Sequence, residues 1–162
     1  MSNIETKVWL KWIIIIVLLL LIIFAIFFIS SYIYGIYIVD LEINYERELK
    51  SLTAEELVEE NIKCINEHNK FKYKLTFILE KRNGQDILGD IEQWSLLDIR
   101  EIAIDSEYKN TYANVYDMKR FRVSYEVKWK RNPPYNNGTY FWTYTVVKPE
   151  ENGRWYIATC GF

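Results

Sequence analysis

From Ile13 to Ile29 every residue is apolar, and residues 12–39 carry no charge. At about 1.5 Å rise per residue, ~20 helical residues cross a hydrocarbon core of ~30 Å, so this run predicts one membrane-spanning helix. Trp9 and Trp12 lie before the pure run, and Tyr32, Tyr34 and Tyr37 lie after it. They fall at the two headgroup levels, where amphipathic rings are favoured, and are candidate membrane-interface residues. The run exceeds the ~7–15 apolar residues of a cleavable signal, and neither a small-x-small site nor a cysteine follows it. The expectation is an uncleaved signal anchor over residues 12–39. Lys7 and Lys11 outweigh Glu5 on one side, whereas Asp40, Glu42, Glu46, Arg47 and Glu48 on the other are mostly acidic. The positive-inside rule then places residues 1–11 in the cytoplasm as a short tail, and everything after residue 40 outside the cell membrane.

Beyond the span the pattern changes. Residues 40–52 read as a charged juxtamembrane connector, and residues 53–162 as the extracytoplasmic domain. Thr53-Ala-Glu-Glu56 is a capping box, in which the Thr hydroxyl accepts an amide of the first turn and Glu56 reaches back. The helix after it carries Leu57, Val58, Ile62, Cys64 and Ile65 on one stripe and should run to about His68. Residues 70–81 fit two periods. Phe71, Tyr73, Leu75, Phe77 and Leu79 alternate as in a strand, while Phe71, Leu75, Ile78 and Leu79 form a helical stripe. Asn83-Gly84 marks a turn, and a loop follows to about Glu92. Strands are expected over Leu97–Asp105, over Arg122–Lys130 with strict alternation, over Tyr140–Val147 after a hairpin loop at Asn132–Gly138, and over Trp155–Phe162. Helix at the front and an antiparallel sheet of about four strands behind is an α+β arrangement.

Composition narrows the classes further. The chain has 162 residues, is 50% hydrophobic and 26% charged, and carries a net charge of −2. That balance excludes disorder and collagen-like repeats, and it supplies no global field for nucleic acid. Two cysteines and one histidine are too few for a multi-ligand zinc site, and no cofactor is expected.

The helix Glu55–Asn69, the segment Trp94-Ser-Leu-Leu-Asp-Ile-Arg-Glu-Ile102, the strand Phe121–Trp129, the strand Tyr140-Phe-Trp-Thr-Tyr-Thr-Val-Val-Lys148 and the terminal Gly153-Arg-Trp-Tyr-Ile157 together resemble the cystatin-like, nuclear transport factor 2-like superfamily. Within it, the order of elements is similar to an uncharacterised domain family of Gram-positive surface proteins and lipoproteins. The resemblance implies a cone-shaped domain with helices packed on a curved antiparallel sheet, and a helix at 70–81. It implies no shared activity and no functional residues. One departure is evident: the lipoprotein members carry a lipid-modified cysteine where this chain keeps an apolar helix.

Four constellations carry possible chemistry. Cys64 and His68 have a spacing that can chelate a metal, but only two ligands are local and Cys64 lies on the apolar stripe, so packing explains it. Cys64 and Cys160 could form a disulfide outside the membrane, or each could be a small core residue. Lys119, Arg120, Arg122, Lys128, Lys130 and Arg131 gather six cations around Glu126 alone, either to meet an anionic polymer or lipid headgroups or as a solvated strand face. Asn137-Gly138-Thr139 matches a glycosylation acceptor, and Asn-Gly also serves hairpin geometry. No catalytic motif is present. The expected function is a single-pass, outward-facing binding or assembly module with a protein or envelope partner. The alternative is a small-ligand carrier or sensor that uses the cone interior.

Overall fold

The computed structural model describes residues 3–82, 91–130 and 138–161. The Asn83-Gly84 turn, Arg131, loop residues 132–137 with the Asn137 acceptor, and Phe162 lie outside the described residues. The chain divides into two compact units, Met1–Asn44 and Tyr45–Phe162.

The first unit is helix α1, Asn3–Lys50, up to Asn44. From Ile13 to Ile29 its large apolar side chains are between 45% and 67% exposed among the described residues. Trp9, Trp12, Tyr32, Tyr34 and Tyr37 are equally open. By length and composition the helix is able to cross a membrane.

The second unit starts earlier than the sequence suggested. Residues 40–50 are helical rather than a connector, and Tyr45 and Leu49, 3% and 0% exposed, belong to the core of the folded unit. Tyr45, Leu49 and Leu52 follow the i, i+4, i+7 spacing of one helix face. The charges at Glu46, Arg47, Glu48 and Lys50 hide it.

Helix α2, Ala54–Asn66, begins with the expected capping box: the Glu56 amide donates to Thr53 Oγ1 at 3.3 Å, and the Thr53 amide donates to Glu56 Oε2 at 2.7 Å. It ends in a Schellman turn. The Asn69 amide reaches the Cys64 carbonyl and the His68 amide the Ile65 carbonyl, both at 3.0 Å, with His68 left-handed at φ 52°. The predicted helix at 70–81 is realised only in part. Helix α3 covers Lys70–Leu75, then Phe77 pairs in parallel with Ile157, and a 3-10 turn spans Leu79–Lys81. The strand period is not realised: Phe77 makes a single bridge, and Leu79, which both periods counted as buried, is 71% exposed.

Strands β1 (Ile91–Ile102), β2 (Asp117–Trp129), β3 (Gly138–Lys148) and β4 (Tyr156–Gly161) form one antiparallel meander in the order β1-β2-β3-β4. Strand β1 starts before the expected Leu97 and ends before Asp105, which instead caps helix α4, Ser106–Thr111, through a 3.0 Å bond from the Tyr108 amide. A bulge between Leu96 and Asp98 shifts the phase of β1. Trp94 and Leu96 pack inward before it, Ile99 packs inward after it, and Leu97 is left 55% exposed.

The inner face of the sheet is covered by α2 and α3. Trp94, Phe121, Val123, Tyr125, Val127, Tyr144 and Val146 meet Leu57, Val58, Ile62, Ile65, Tyr73 and Phe77 in a single core. A polar seam runs through it. Asn61 donates to Thr76 Oγ1 at 2.8 Å and accepts from the Tyr144 hydroxyl at 3.3 Å, while Thr76 donates to the Tyr73 carbonyl at 2.7 Å. Asn66 closes the edge of β1 as a strand would: its Nδ2 donates to the Trp94 carbonyl at 2.6 Å, and its Oδ1 accepts the Trp94 amide at 2.7 Å.

Arg154, 5% exposed, sits just before β4. Glu46 holds it at 2.7 and 2.9 Å, it donates to the Leu75 carbonyl at 2.7 Å, and its guanidinium lies 3.9 Å over the Tyr156 ring. Glu46 also pairs with Arg82 at 3.1 Å. Replacing Arg154 by Met removes a buried charge but leaves the Leu75 carbonyl and Glu46 short of a donor. We expect Arg154→Met to lower unfolding free energy by roughly 2–4 kcal/mol, read from urea denaturation; an unchanged midpoint contradicts this.

Candidate functional site on the outer face of the sheet

The two faces of the sheet differ in kind. Even-numbered positions of β2 point away from the core, so Arg120, Arg122, Ser124, Glu126 and Lys128 share the outer face, while the odd-numbered Phe121, Val123, Tyr125 and Val127 are buried. In register beside them stand Gln93, Ser95, Asp98, Arg100 and Ile102 of β1, and Thr139, Phe141, Thr143 and Thr145 of β3.

Of the six cations singled out from the sequence, Arg131 lies outside the described residues, and three of the other five are paired with carboxylates. Lys119 has the parity of the inner face and pairs with Glu101 at 2.9 Å, which raises its pKa. Arg120 pairs with Asp105 at 2.8 Å and lies 3.9 Å over the Tyr108 ring. Lys128 pairs with Glu92 at 2.7 Å. Lys130 is exposed. The carboxylates that answer these cations lie on β1 and the segment after it, distant in sequence, which is why the run looked unopposed.

Arg122 is different. It stands directly opposite Arg100 across β1 and β2 and opposite Thr143 across β2 and β3. Its guanidinium lies 4.7 Å over the ring of Phe141, which is itself 49% exposed. Among the described residues no carboxylate forms an ion pair with it. Arg100 pairs with Asp98 at 2.6 Å, both side chains open to solvent. Asp98, Arg100, Ile102, Arg122, Ser124 and Phe141 line a groove of about 450 Å³. Sequence reasoning missed Arg100, whose place beside Arg122 depends on the bulge in β1.

A second groove, of about 570 Å³, lies between α2 and the start of β1, with Glu59, Glu67 and Glu92 against Lys63 on its walls. Ile62, Trp94 and Leu96 supply its apolar wall.

Cys64 and Cys160 stand as free thiols. Cys64 is fully buried, 3.3 Å from the Tyr45 hydroxyl, which donates to Glu60 at 3.0 Å. Burial pushes the Cys64 thiol up to about 11 and the Cys160 thiol up to about 12. Burial thus favours the protonated thiol at both positions. His68, beyond the end of α2, is exposed. Among the described residues no three His, Cys, Asp or Glu side chains are placed to hold a metal ion.

No family model, curated protein or solved structure matches this chain.

The buried neutral groups set an alkaline limit on stability. Burial also raises the Tyr73, Tyr125 and Tyr144 hydroxyls far above their ordinary value. Unfolded thiols ionise near pH ~9 and tyrosines near ~10, so above those values the unfolded state gives up protons that the folded state keeps. The stability these groups contribute is complete below pH ~8 and is lost as pH rises through the values raised by burial. The denaturation midpoint should be level from pH 7 to 8 and fall steadily above pH ~9, less steeply in a Cys64→Ala, Cys160→Ala variant. A midpoint unchanged at pH ~10.5 contradicts this.

Proposed function

We propose that this protein is a single-pass membrane protein whose C-terminal domain faces outward and serves as a binding or assembly module. The observation that carries the reading is the helical run Ile13–Ile29, whose large apolar side chains are all at least 45% exposed among the described residues. Leaving so much apolar surface in water costs about 25 cal/mol per Å², and lipid removes that cost. Residues 1–11 form the cytoplasmic tail in this reading, because Lys7 and Lys11 stand before the span and mostly acidic residues follow it. The domain is an α+β unit, and its cone shape, as in the nuclear transport factor 2-like superfamily, is part of the proposal.

Binding is favoured over transport or sensing of a small ligand by the way the domain spends its side chains. Between the inner face and the helices, Trp94, Tyr125, Tyr144, Tyr73 and Phe77 are packed to 2% exposure or less, where a carrier would need room. The outer face presents a groove, two arginines in register and an exposed phenylalanine. A partner that covers this face, protein or envelope component, fits the arrangement better than a molecule held inside.

The anchor is tested by charge. Leu20→Arg together with Ile23→Arg adds roughly 2.5–3.5 kcal/mol per residue to insertion, enough to move the chain from the carbonate-resistant membrane fraction into the soluble or aggregated one. A reporter fused after Phe162 should be active outside the cell. Continued extraction with the membrane despite both arginines, or reporter activity confined to the cytoplasm, would falsify the anchor or its orientation respectively.

A further inference from the structure

We propose that the groove between Arg100 and Arg122 takes the phosphate of an anionic lipid headgroup, docking the outer face of the sheet on a membrane surface. The inference rests on the membrane-anchored reading above and names the ligand class of the face described there. Like charges directly opposite each other across two strands repel, yet Arg100 and Arg122 are in register. A single anion with several oxygens set between two guanidiniums turns that repulsion into two charge-assisted contacts, and the planar fork of arginine suits phosphate better than an ammonium does. The neighbouring cations are not available on the same terms: Lys119, Arg120 and Lys128 each have a carboxylate at 2.7–2.9 Å. Asp98 pairs with Arg100 with the two side chains 44% and 77% exposed, and exposed pairs of this kind are weak enough to yield to a phosphate. Ser124 adds a hydroxyl to the wall of the groove.

Lipid is favoured over a free phosphate compound by the apolar groups around the arginines. Phe141 lies under Arg122 and is 49% exposed, and Ile102 lines the groove. Cations on phosphates with isoleucine and phenylalanine at the acyl boundary make up the composition of an interfacial face. A domain carried by a membrane anchor also meets lipid at high effective concentration, so a modest surface affinity suffices.

The test uses the full chain reconstituted into vesicles of phosphatidylcholine alone or with phosphatidylglycerol, with Thr143→Cys carrying an environment-sensitive dye. Thr143 is the cross-strand neighbour of Arg122; Cys64 is buried, and the half-buried Cys160 is replaced by Ala so that only the new thiol takes the dye. Flotation of the chain with both vesicle types reports the anchor, independently of the dye. Dye emission should shift to the blue only with phosphatidylglycerol, and the shift should fade between 0.1 M and 1 M salt as the Debye length falls from ~10 Å to ~3 Å. Arg100→Gln and Arg122→Gln should each weaken docking roughly fivefold, about the worth of one cation near an anionic surface. Arg122→Lys should keep most of the docking, and melting temperatures should be unchanged. A chain that floats but shows the same emission on both vesicle types, or a shift indifferent to both arginines, overturns the proposal and leaves the anchor intact. A dye response to soluble glycerol phosphate on neutral vesicles, without one to phosphatidylglycerol, also overturns it in favour of a free phosphate ligand. Failure to float overturns the anchor reading itself.

Discussion

A buried guanidinium organises the folded unit. Arg154 is almost without access to water, and burying an unpaired charge would cost several kcal/mol. It is tolerated because two distant stretches of chain converge on it, Glu46 near the end of α1 and the Leu75 carbonyl at the end of α3, while the ring of Tyr156, two residues on, lies under its guanidinium. Such a pair need add little net stability. Its effect is to make alternative placements of these stretches expensive. With α3 ended beside Arg154, Phe77 reaches Ile157 in a parallel bridge, and the Ile78 and Ile157 amides bond across it at 3.0 and 2.9 Å. Tyr45 and Leu49, one residue before Glu46 and three after it, enter the core on the same turns.

The outer face follows from a different local feature. Without the bulge at Leu97, the phase that puts Trp94 and Leu96 inward would carry Asp98 and Arg100 inward as well. One extra residue turns them outward, sets Arg100 opposite Arg122, and lets Ile99 take the core position. The groove, its two guanidiniums and the exposed Leu97 are therefore consequences of one irregularity in an edge strand.

Much of the architecture was legible in the chain because it depends on local pattern. The apolar run, the capping box at Thr53–Glu56, the alternation of β2 and β3 and the antiparallel meander all appear where their periodicity puts them. What was missed depends on pairing between distant residues or on broken period. The bulge concealed the start of β1, and Asp105 was read as strand although it caps α4. Residues 45–50 passed as a charged connector because only every fourth side chain is buried. The basic run looked like a single patch, since Glu101, Asp105 and Glu92, which answer Lys119, Arg120 and Lys128, come into range only through the sheet. Arg100, the partner position of Arg122, carried no signal in the sequence.

The central claim is that residues 45–50 are part of the folded unit and that Glu46 fixes Arg154 within it. The most direct measurement compares equilibrium unfolding of two soluble fragments, one starting at Leu41 and one at Thr53, both ending at Phe162. The longer keeps Tyr45, Glu46 and Leu49 and should unfold in one cooperative transition. The shorter loses two buried side chains, each worth roughly 2–5 kcal/mol, together with the partner of Arg154, and should show little or no cooperative transition. Equal stability of the two fragments would contradict the account.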